Sequence, residues 1–284
     1  TKKIKKIFML NEVPKIIAEV GVNHNGSLNL AKKLIKISKN AGAHFVKFQM
    51  FDTESHILKS AQMTNYQKKN LSSKISQFKM AKKYELSFKD FSKLNKFCKK
   101  NKIHFLASVF DVYSFHNYLK FNCNYIKIPS GEITNFELLN EISKFKFTVF
   151  LSTGMSNINE INNAIKLLKS RKKIKDIIVM QCTTEYPSKL SNSNLLTIPN
   201  FKFLFKCDVG YSDHTLGAVS AIIAVTLGAN VIEKHLTLDK NLKGPDHKAS
   251  CDPIEFIKFT KNLKQIKEIM GSKIKKLLAD EKKN

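Results

Sequence analysis

Residues 15–50 read KIIAEVGVNHNGSLNLAKKLIKISKNAGAHFVKFQM, and this stretch decides the fold. An apolar, β-branched run at 15–22 is followed by a helical pattern at 28–40, a stop at Gly42 and a second apolar run at 44–50. Two short strands joined through one helix form a β-α-β unit, whose strands must run parallel. The pattern repeats outward along the chain. Further strands are expected at 103–110, 125–131, 148–154, 176–183, 206–214 and 230–237. Helices are expected near 87–100, 114–121, 135–144, 157–170, 192–196, 217–227 and 253–270. Asp252 before Pro253 is a cap followed by a helix-starting proline, and Gly228 stands where a helix should stop. Eight β-α units without a glycine-rich dinucleotide fingerprint favour a closed (β/α)8 TIM barrel, an α/β fold, over an open doubly wound sheet. The barrel is expected to occupy 1–270, with 271–284 as a lysine-rich linker or tail. The one long insertion, 52–84, follows strand two. It is read either as a lid or substrate loop on the catalytic face or as a surface loop without a role.

The 284 residues carry 49 Lys+Arg against 23 Asp+Glu, a formal charge of +26, with 43% hydrophobic residues. That composition excludes disorder and a disulfide miniprotein, and the length suffices for a large core. The charge raises the alternative of a polyanion-binding protein. Against it, the only arginine is Arg171, and the lysines are scattered in pairs such as Lys32-Lys33 and Lys99-Lys100. Nucleic-acid recognition relies on bidentate arginine forks, so the surplus reads as compositional bias on solvated helix faces, with no nucleic-acid partner. The five cysteines, Cys98, Cys123, Cys182, Cys207 and Cys251, form no C-x-x-C pair and read as reduced thiols, Cys182 as a small buried residue. The longest apolar run, 217–232, is broken by Ser220, Thr226 and Asn230, short of the ~18 residues of a membrane span. The basic stretch 2–6 lacks the apolar region of a signal peptide, so the expected location is cytoplasmic.

A barrel places its chemistry at the carboxyl ends of its strands. There the chain has Glu19, Lys47 with Gln49, Ser108, Lys127 with Ser130 and Glu132, Ser152, Gln181 with Thr184, Ser212 with His214, and Glu233 with His235. Buried polar groups cost several kcal/mol unless paired, so a polar group at all eight ends points to function. Lys47 and Lys127, with hydroxyls such as Ser130 and Ser212, are suited to a phosphate or carboxylate dianion. His214 and His235 end adjacent strands, about 5 Å apart, within reach of one divalent ion. Water and substrate oxygens completing such a site would suit Mn²⁺ better than structural zinc, and Glu19 falls next to strand eight on closure. His24, in the loop after strand one, is open between a packing and a site role.

Longer motifs then carry a resemblance. IAEVGVNHNG at 17–26, VKFQ at 46–49, KIPSGEITN at 127–135, LSTGM at 151–155, CTTEYP at 182–187, GYSDHTLG at 210–217, EKH at 233–235 and GPDHKAS at 244–250 resemble the sialic acid synthase family, in order and over nearly the whole chain. The resemblance implies condensation of phosphoenolpyruvate with N-acetylmannosamine to N-acetylneuraminate and phosphate, or with a diacetamido-trideoxy sugar in a legionaminic acid synthase. It implies Mn²⁺ or Mg²⁺ on His214 and His235, and phosphoenolpyruvate held by Lys47, Ser108, Lys127, Ser130, Ser152, Thr184 and Ser212. It implies sugar contacts from Glu19, Gln49, Tyr186 and Asp246, and Glu19, Glu132 and Lys127 as catalytic groups, with Glu132 or Glu19 moving protons. Ala107-Ser108-Val109-Phe110 departs from the family's usual Ser-Thr-Pro-Phe but keeps the hydroxyl. The family also implies a homodimer, with an antifreeze-like domain following a linker similar to 271–284. A chain that begins at Thr1 and ends in such a tail is expected to be part of a longer product.

Overall fold

The computed structural model describes residues 13–71, 75–272 and 274–283; the basic stretch at 2–6 lies outside them. Eight parallel strands close into a barrel in sequence order: β1 (Lys15–Gly21), β2 (Phe45–Met50), β3 (His104–Val109), β4 (Tyr125–Ile128), β5 (Thr148–Ser152), β6 (Asp176–Cys182), β7 (Asp208–Asp213) and β8 (Val231–His235). Around them run α1 (Leu28–Asn40), α5 (Phe88–Lys100), α6 (Val112–Leu119), α7 (Phe136–Ser143), α8 (Ile158–Lys169), α9 (Thr197–Phe205), α10 (Val219–Thr226) and α11 (Pro253–Met270). All eight strands and seven of the eight ring helices fall where the sequence patterns them.

Alternation along the strands sorts the residues into two cores. Side chains pointing outward, such as Ile16, Ala18, Val46 and Phe48, join the helix faces in one large apolar cluster. Inward-pointing Ile17, Phe45, Leu106, Phe150, Ile178, Met180 and Val231 pack into a smaller cluster that floors the barrel. Each fully buried side chain of this kind contributes roughly 1.5–3 kcal/mol. Two residues further along the same strands, the inward positions turn polar: Glu19 follows Ile17, Lys47 follows Phe45, Ser108 follows Leu106, Ser152 follows Phe150 and Glu233 follows Val231. The apolar floor therefore carries a buried polar tier directly above it.

Local signals fix the helices. Ser27 Oγ accepts from Leu30 N at the start of α1, and Asn157 and Asp252 form capping boxes with Glu160 and Glu255 at α8 and α11. Thr260 of α11 donates to the Ala41 carbonyl at 2.6 Å, tying the last helix to the first β-α unit.

Two expectations need correction. The helix placed near 192–196 lies at Thr197–Phe205, after a 3-10 turn at Leu190–Asn192. Pro199 sits in its first turn, where the missing N–H has no helical partner to lose. Strand seven begins at Asp208, because Lys206 is the left-handed residue that ends α9, with φ 50°. The insertion 52–84 is built from α2 (Thr53–His56), α3 (Asn65–Leu71) and α4 (Gln77–Tyr84). It rests on a satellite cluster of Val22, Met63, Met80 and Tyr84. Thr53 Oγ1 donates to Glu85 at 2.5 Å, closing its base.

Candidate active site

The carboxyl ends of the strands and the helical insertion enclose a cavity of about 260 Å³. Its centre is an ion cluster assembled by register. Glu19 pairs with Lys47 across β1 and β2, and Ser212 with Glu233 across β7 and β8, so four polar side chains share one tier. Glu233 accepts from Lys127 Nζ at 2.9 Å and from Ser212 Oγ at 2.8 Å, and lies 3.2 Å from Lys47 Nζ. Lys47 donates to Ser108 Oγ at 2.9 Å and lies 3.4 Å from Glu19 Oε2.

Burial alone would raise the Glu233 carboxyl, but the Lys127 and Lys47 ammoniums hold it well below the usual carboxylate range. Glu19 differs. Burial pushes it up to about 7 against the pull of Lys47, and the Glu233 charge adds to the rise. Lys127 is lowered, chiefly by burial, whereas burial of Lys47 is outweighed by Glu19 and Glu233, which raise it. Two ammoniums and one firmly ionised carboxylate leave a positive surplus whenever Glu19 holds its proton. An incoming anion is favoured there, out of reach of bulk screening.

Beside this cluster the hydroxyl side is shaped by a glycine. Ser130 Oγ accepts from Gly154 N at 3.0 Å and lies 3.1 Å from Cys182 Sγ. A Cβ on Gly154 would stand 2.3 Å from Thr184 Oγ1 and 2.8 Å from Ser130 Oγ, so only glycine leaves these hydroxyls facing the cavity.

His214 and His235 lie 5.6 Å apart between ring centroids, with the Tyr186 ring 4.2 Å from His214. His214 Nδ1 is 2.6 Å from the Thr183 carbonyl, which can only accept, so Nδ1 carries the proton and Nε2 keeps its lone pair. The Ser212 hydroxyl, 3.4 Å from that Nε2, already donates to Glu233. Nδ1 of His235 is buried with no hydrogen-bond partner. Burial pushes His214 down to about 4, and burial together with the neighbouring His214 pushes His235 well below the ordinary imidazole value, so both rings are neutral near pH 7. Neutral imidazoles with uncommitted nitrogens are the ligand form, and the pair fits an open divalent-ion site. Among the described residues no group of three or more His, Cys, Asp or Glu side chains is arranged to hold a metal, so such an ion would complete its shell with water or substrate oxygens.

On the outer side, burial pushes Asp246 up to about 6, against the lowering pull of the Tyr66 hydroxyl of α3. Tyr66 lies 5.2 Å from the Tyr186 ring, and Asn70 donates to the Pro245 carbonyl at 2.6 Å.

Of the residues expected from the sequence, Glu19, Lys47, Gln49, Ser108, Lys127, Ser130, Ser152, Thr184, Tyr186, Ser212, His214, His235 and Asp246 all line the cavity. Glu132 is placed apart from them. It sits in the turn Ser130–Glu132, accepts from Asn135 Nδ2 at 2.8 Å and lies 4.0 Å from His56 Nε2, outside the lining. His24 is a packing residue, 1% exposed against Phe48, with Nδ1 accepting from Gly26 N. Sequence reading assigned no role to Glu233, the hub of the cluster. Its signal was present, since it lies two residues before His235 on one strand and so shares its face. The insertion residues Tyr66, Gln67 and Met80 also line the cavity, and no periodicity marked them.

Comparison with known proteins places this geometry in a group. The NeuB family model matches residues 34–275. The chain is 47% identical over 270 residues to the N,N'-diacetyllegionaminic acid synthase of Campylobacter jejuni, covering 95% of this chain and 81% of that one. It is 32% identical to the human N-acetylneuraminate-9-phosphate synthase, covering 93% and 73%. The crystal structure of an N-acetylneuraminic acid synthetase from Leptospira borgpetersenii superposes with a TM-score of 0.83 at 31% identity, over 96% of this chain and 90% of that one. A closed eight-strand barrel with one polar tier, matched in sequence and in structure over almost its full length, belongs to the NeuB family.

Proposed function

We propose that this chain condenses phosphoenolpyruvate with an N-acetylated amino sugar, releasing phosphate and forming a nonulosonic acid. The observation that carries the reading is the buried cluster of Lys47, Lys127 and Glu233, ringed by hydroxyls and set beside two neutral histidines. Lys47 and Lys127 would receive the phosphate and carboxylate of phosphoenolpyruvate, with Ser108, Ser130, Ser152, Thr184 and Ser212 as further donors. The methylene carbon of phosphoenolpyruvate attacks the aldehyde carbon of the open-chain sugar. Water adds to the carbon left electron-poor, and the resulting tetrahedral adduct expels inorganic phosphate. One proton goes to the aldehyde oxygen and one leaves the water. Glu19 is suited to carry a proton between them, because its carboxyl, raised to about 7, is part protonated at neutral pH. Glu132 lies outside the lining but 4.0 Å from His56, which is in it, and so would be the second candidate for moving a proton. A Mn²⁺ or Mg²⁺ ion held by His214 and His235 would supply Lewis-acid polarisation of the sugar carbonyl.

For the acceptor, the 47% identity to a diacetyllegionaminic acid synthase, against 32% to the human enzyme, favours a diacetamido-trideoxy sugar over N-acetylmannosamine. Gln49, Tyr186 and Asp246, with Tyr66 and Gln67 of the insertion, would meet it. The assay measures phosphate release from phosphoenolpyruvate with Mn²⁺ and each sugar in parallel. Release that depends on neither sugar rejects the reading, and faster release with N-acetylmannosamine reverses the acceptor assignment. His235→Ala is expected to abolish the metal dependence of that release.

The homodimer implied by the family resemblance belongs to the same reading. It is supported by an open apolar groove along Leu190, Leu195, Leu196, Val219, Ile223 and Leu227, and light scattering tests it.

A further inference from the structure

Behind the two histidines, on the outer side of the same strand ends, lies a second charged group that does not line the cavity. Lys234 Nζ donates to Asp213 Oδ2 at 2.8 Å, with the side chains 2% and 0% exposed. The two residues are register partners on β7 and β8. Each is the chain neighbour of a cavity histidine, Asp213 of His214 and Lys234 of His235. Alternation sends the histidines into the barrel and this pair out into the strand–helix layer.

The pair is built into a closed set of bonds. Asp213 Oδ1 accepts from Thr215 N at 2.9 Å, Thr215 Oγ1 at 2.7 Å and Ser220 Oγ at 3.1 Å. Lys234 also donates to the Thr215 carbonyl, and its ammonium lies 5.6 Å from the Phe259 ring of α11. A buried ion pair gains little net stability over an apolar pair of similar volume, because desolvation offsets the attraction. What it does impose is geometry. Slippage between the ends of β7 and β8 would strand two charges in an apolar layer, whereas apolar contacts alone tolerate small shifts. The same slippage would change the spacing of His214 and His235.

We infer that Asp213 and Lys234 are a positioning pair that sets the spacing of His214 and His235 and thereby the affinity of those two rings for a divalent cation. The inference rests on the metal reading above. Its test measures Mn²⁺ binding directly by electron paramagnetic resonance on wild type, His235→Ala, the double variant Asp213→Asn/Lys234→Met and Ser220→Ala. Imidazole ¹⁵N spectra of each are recorded without metal. The double variant removes the cross-strand tie without leaving an unpaired buried charge, and its amide oxygen still accepts from Thr215. Expected are Mn²⁺ binding weakened by roughly ten- to hundredfold, phosphate binding within about twofold, and shifted signals from both cavity imidazoles. Ser220→Ala should show a smaller loss of the same kind, and it decides the matter if the double variant does not fold. A folded variant that binds Mn²⁺ as wild type does, with unmoved imidazole signals, overturns the positioning role. If His235→Ala binds Mn²⁺ as tightly as wild type, the metal reading falls instead. The imidazole signals then decide alone, unmoved signals overturning the pair's role and shifted ones supporting it.

Discussion

At Gly154 one added methyl group would turn the Thr184 and Ser130 hydroxyls away from the proposed anion pocket. The nearest atoms to that methyl are the ends of Thr184 and Ser130, which can rotate, so Gly154→Ala should fold with little change in melting temperature. Rotated hydroxyls no longer face the anion, and each such bond to a charged group is worth about 1.5–3 kcal/mol. The KM for phosphoenolpyruvate is expected to rise roughly tenfold or more, and an unchanged KM would remove the hydroxyls from the anion site. Asp246 is a case where function and stability pull apart. Its carboxyl is raised from 3.8 to about 6 by burial, so the folded state binds the proton more tightly than the unfolded chain does. The stability this contributes is complete below pH 3.8 and is lost as pH rises through 6. At pH 7.5 the wild type holds an ionised carboxylate in a poorly solvated place. Asp246→Asn should therefore be more stable than wild type at that pH, by roughly 2–3 kcal/mol at most, with the advantage vanishing toward pH 4. Denaturant unfolding at the two pH values checks the sign, and acceptor turnover is expected to fall in the same variant.

On the proposed reading, the insertion is the element that would meet the acceptor, since its Tyr66 and Gln67 line the cavity. Its helices α3 and α4 rest on a small satellite cluster, yet α3 is pinned to the barrel through Tyr66 on Tyr186 and Asn70 on Pro245. An aromatic contact of that kind is worth about 0.5–1.5 kcal/mol. Tyr66→Ala should raise the acceptor KM by roughly three- to tenfold and leave that for phosphoenolpyruvate within about twofold, since the lysine cluster lies on other elements. Steady-state kinetics with each substrate varied in turn decides it, and an equal rise in both constants would mean that the lid serves the whole cavity. This element also marks where sequence reading stops. The barrel strands were legible because each is a short apolar, β-branched run followed by a helical pattern, and the rule that a barrel works at its carboxyl strand ends brought Glu19, Lys47 and Ser108 together. The helices of 52–84 were not, because they are only 4, 7 and 8 residues long, too short for an apolar period to stand out among the many polar residues between them. The ninth helix was displaced for a different reason. Leu196 before it makes no capping side-chain bond, and Pro199 reads as a stop although it lies within the first turn. Glu233 was missed through role rather than place, since a carboxylate between two lysines looks unsuited to an anion pocket until its pairing is seen.

For the whole molecule, the excess of basic residues resolves into two populations with different reach. Among the described residues only Lys47, Lys127 and Lys234 are buried, and each has a carboxylate partner within 3.4 Å. Other described lysines are spread over helices such as α1, α5, α8 and α11, on different sides of the barrel. Their field is screened within about 8 Å at physiological salt, so little of it reaches the cavity floor. The buried surplus is not screened in that way. Salt should therefore act unequally on the two. Raising it from about 0.05 to 0.2 M is expected to weaken duplex DNA binding by far more than tenfold, from a starting affinity no tighter than the non-specific range of roughly 10⁻⁴ to 10⁻⁶ M. Over the same change kcat/KM for phosphoenolpyruvate should fall only a few fold, through lost steering of the anion toward the barrel mouth. Fluorescence titration and initial rates in one buffer series compare the two directly. A nanomolar, sequence-dependent affinity for DNA at 0.2 M salt would restore the polyanion-binding reading that the charge first suggested.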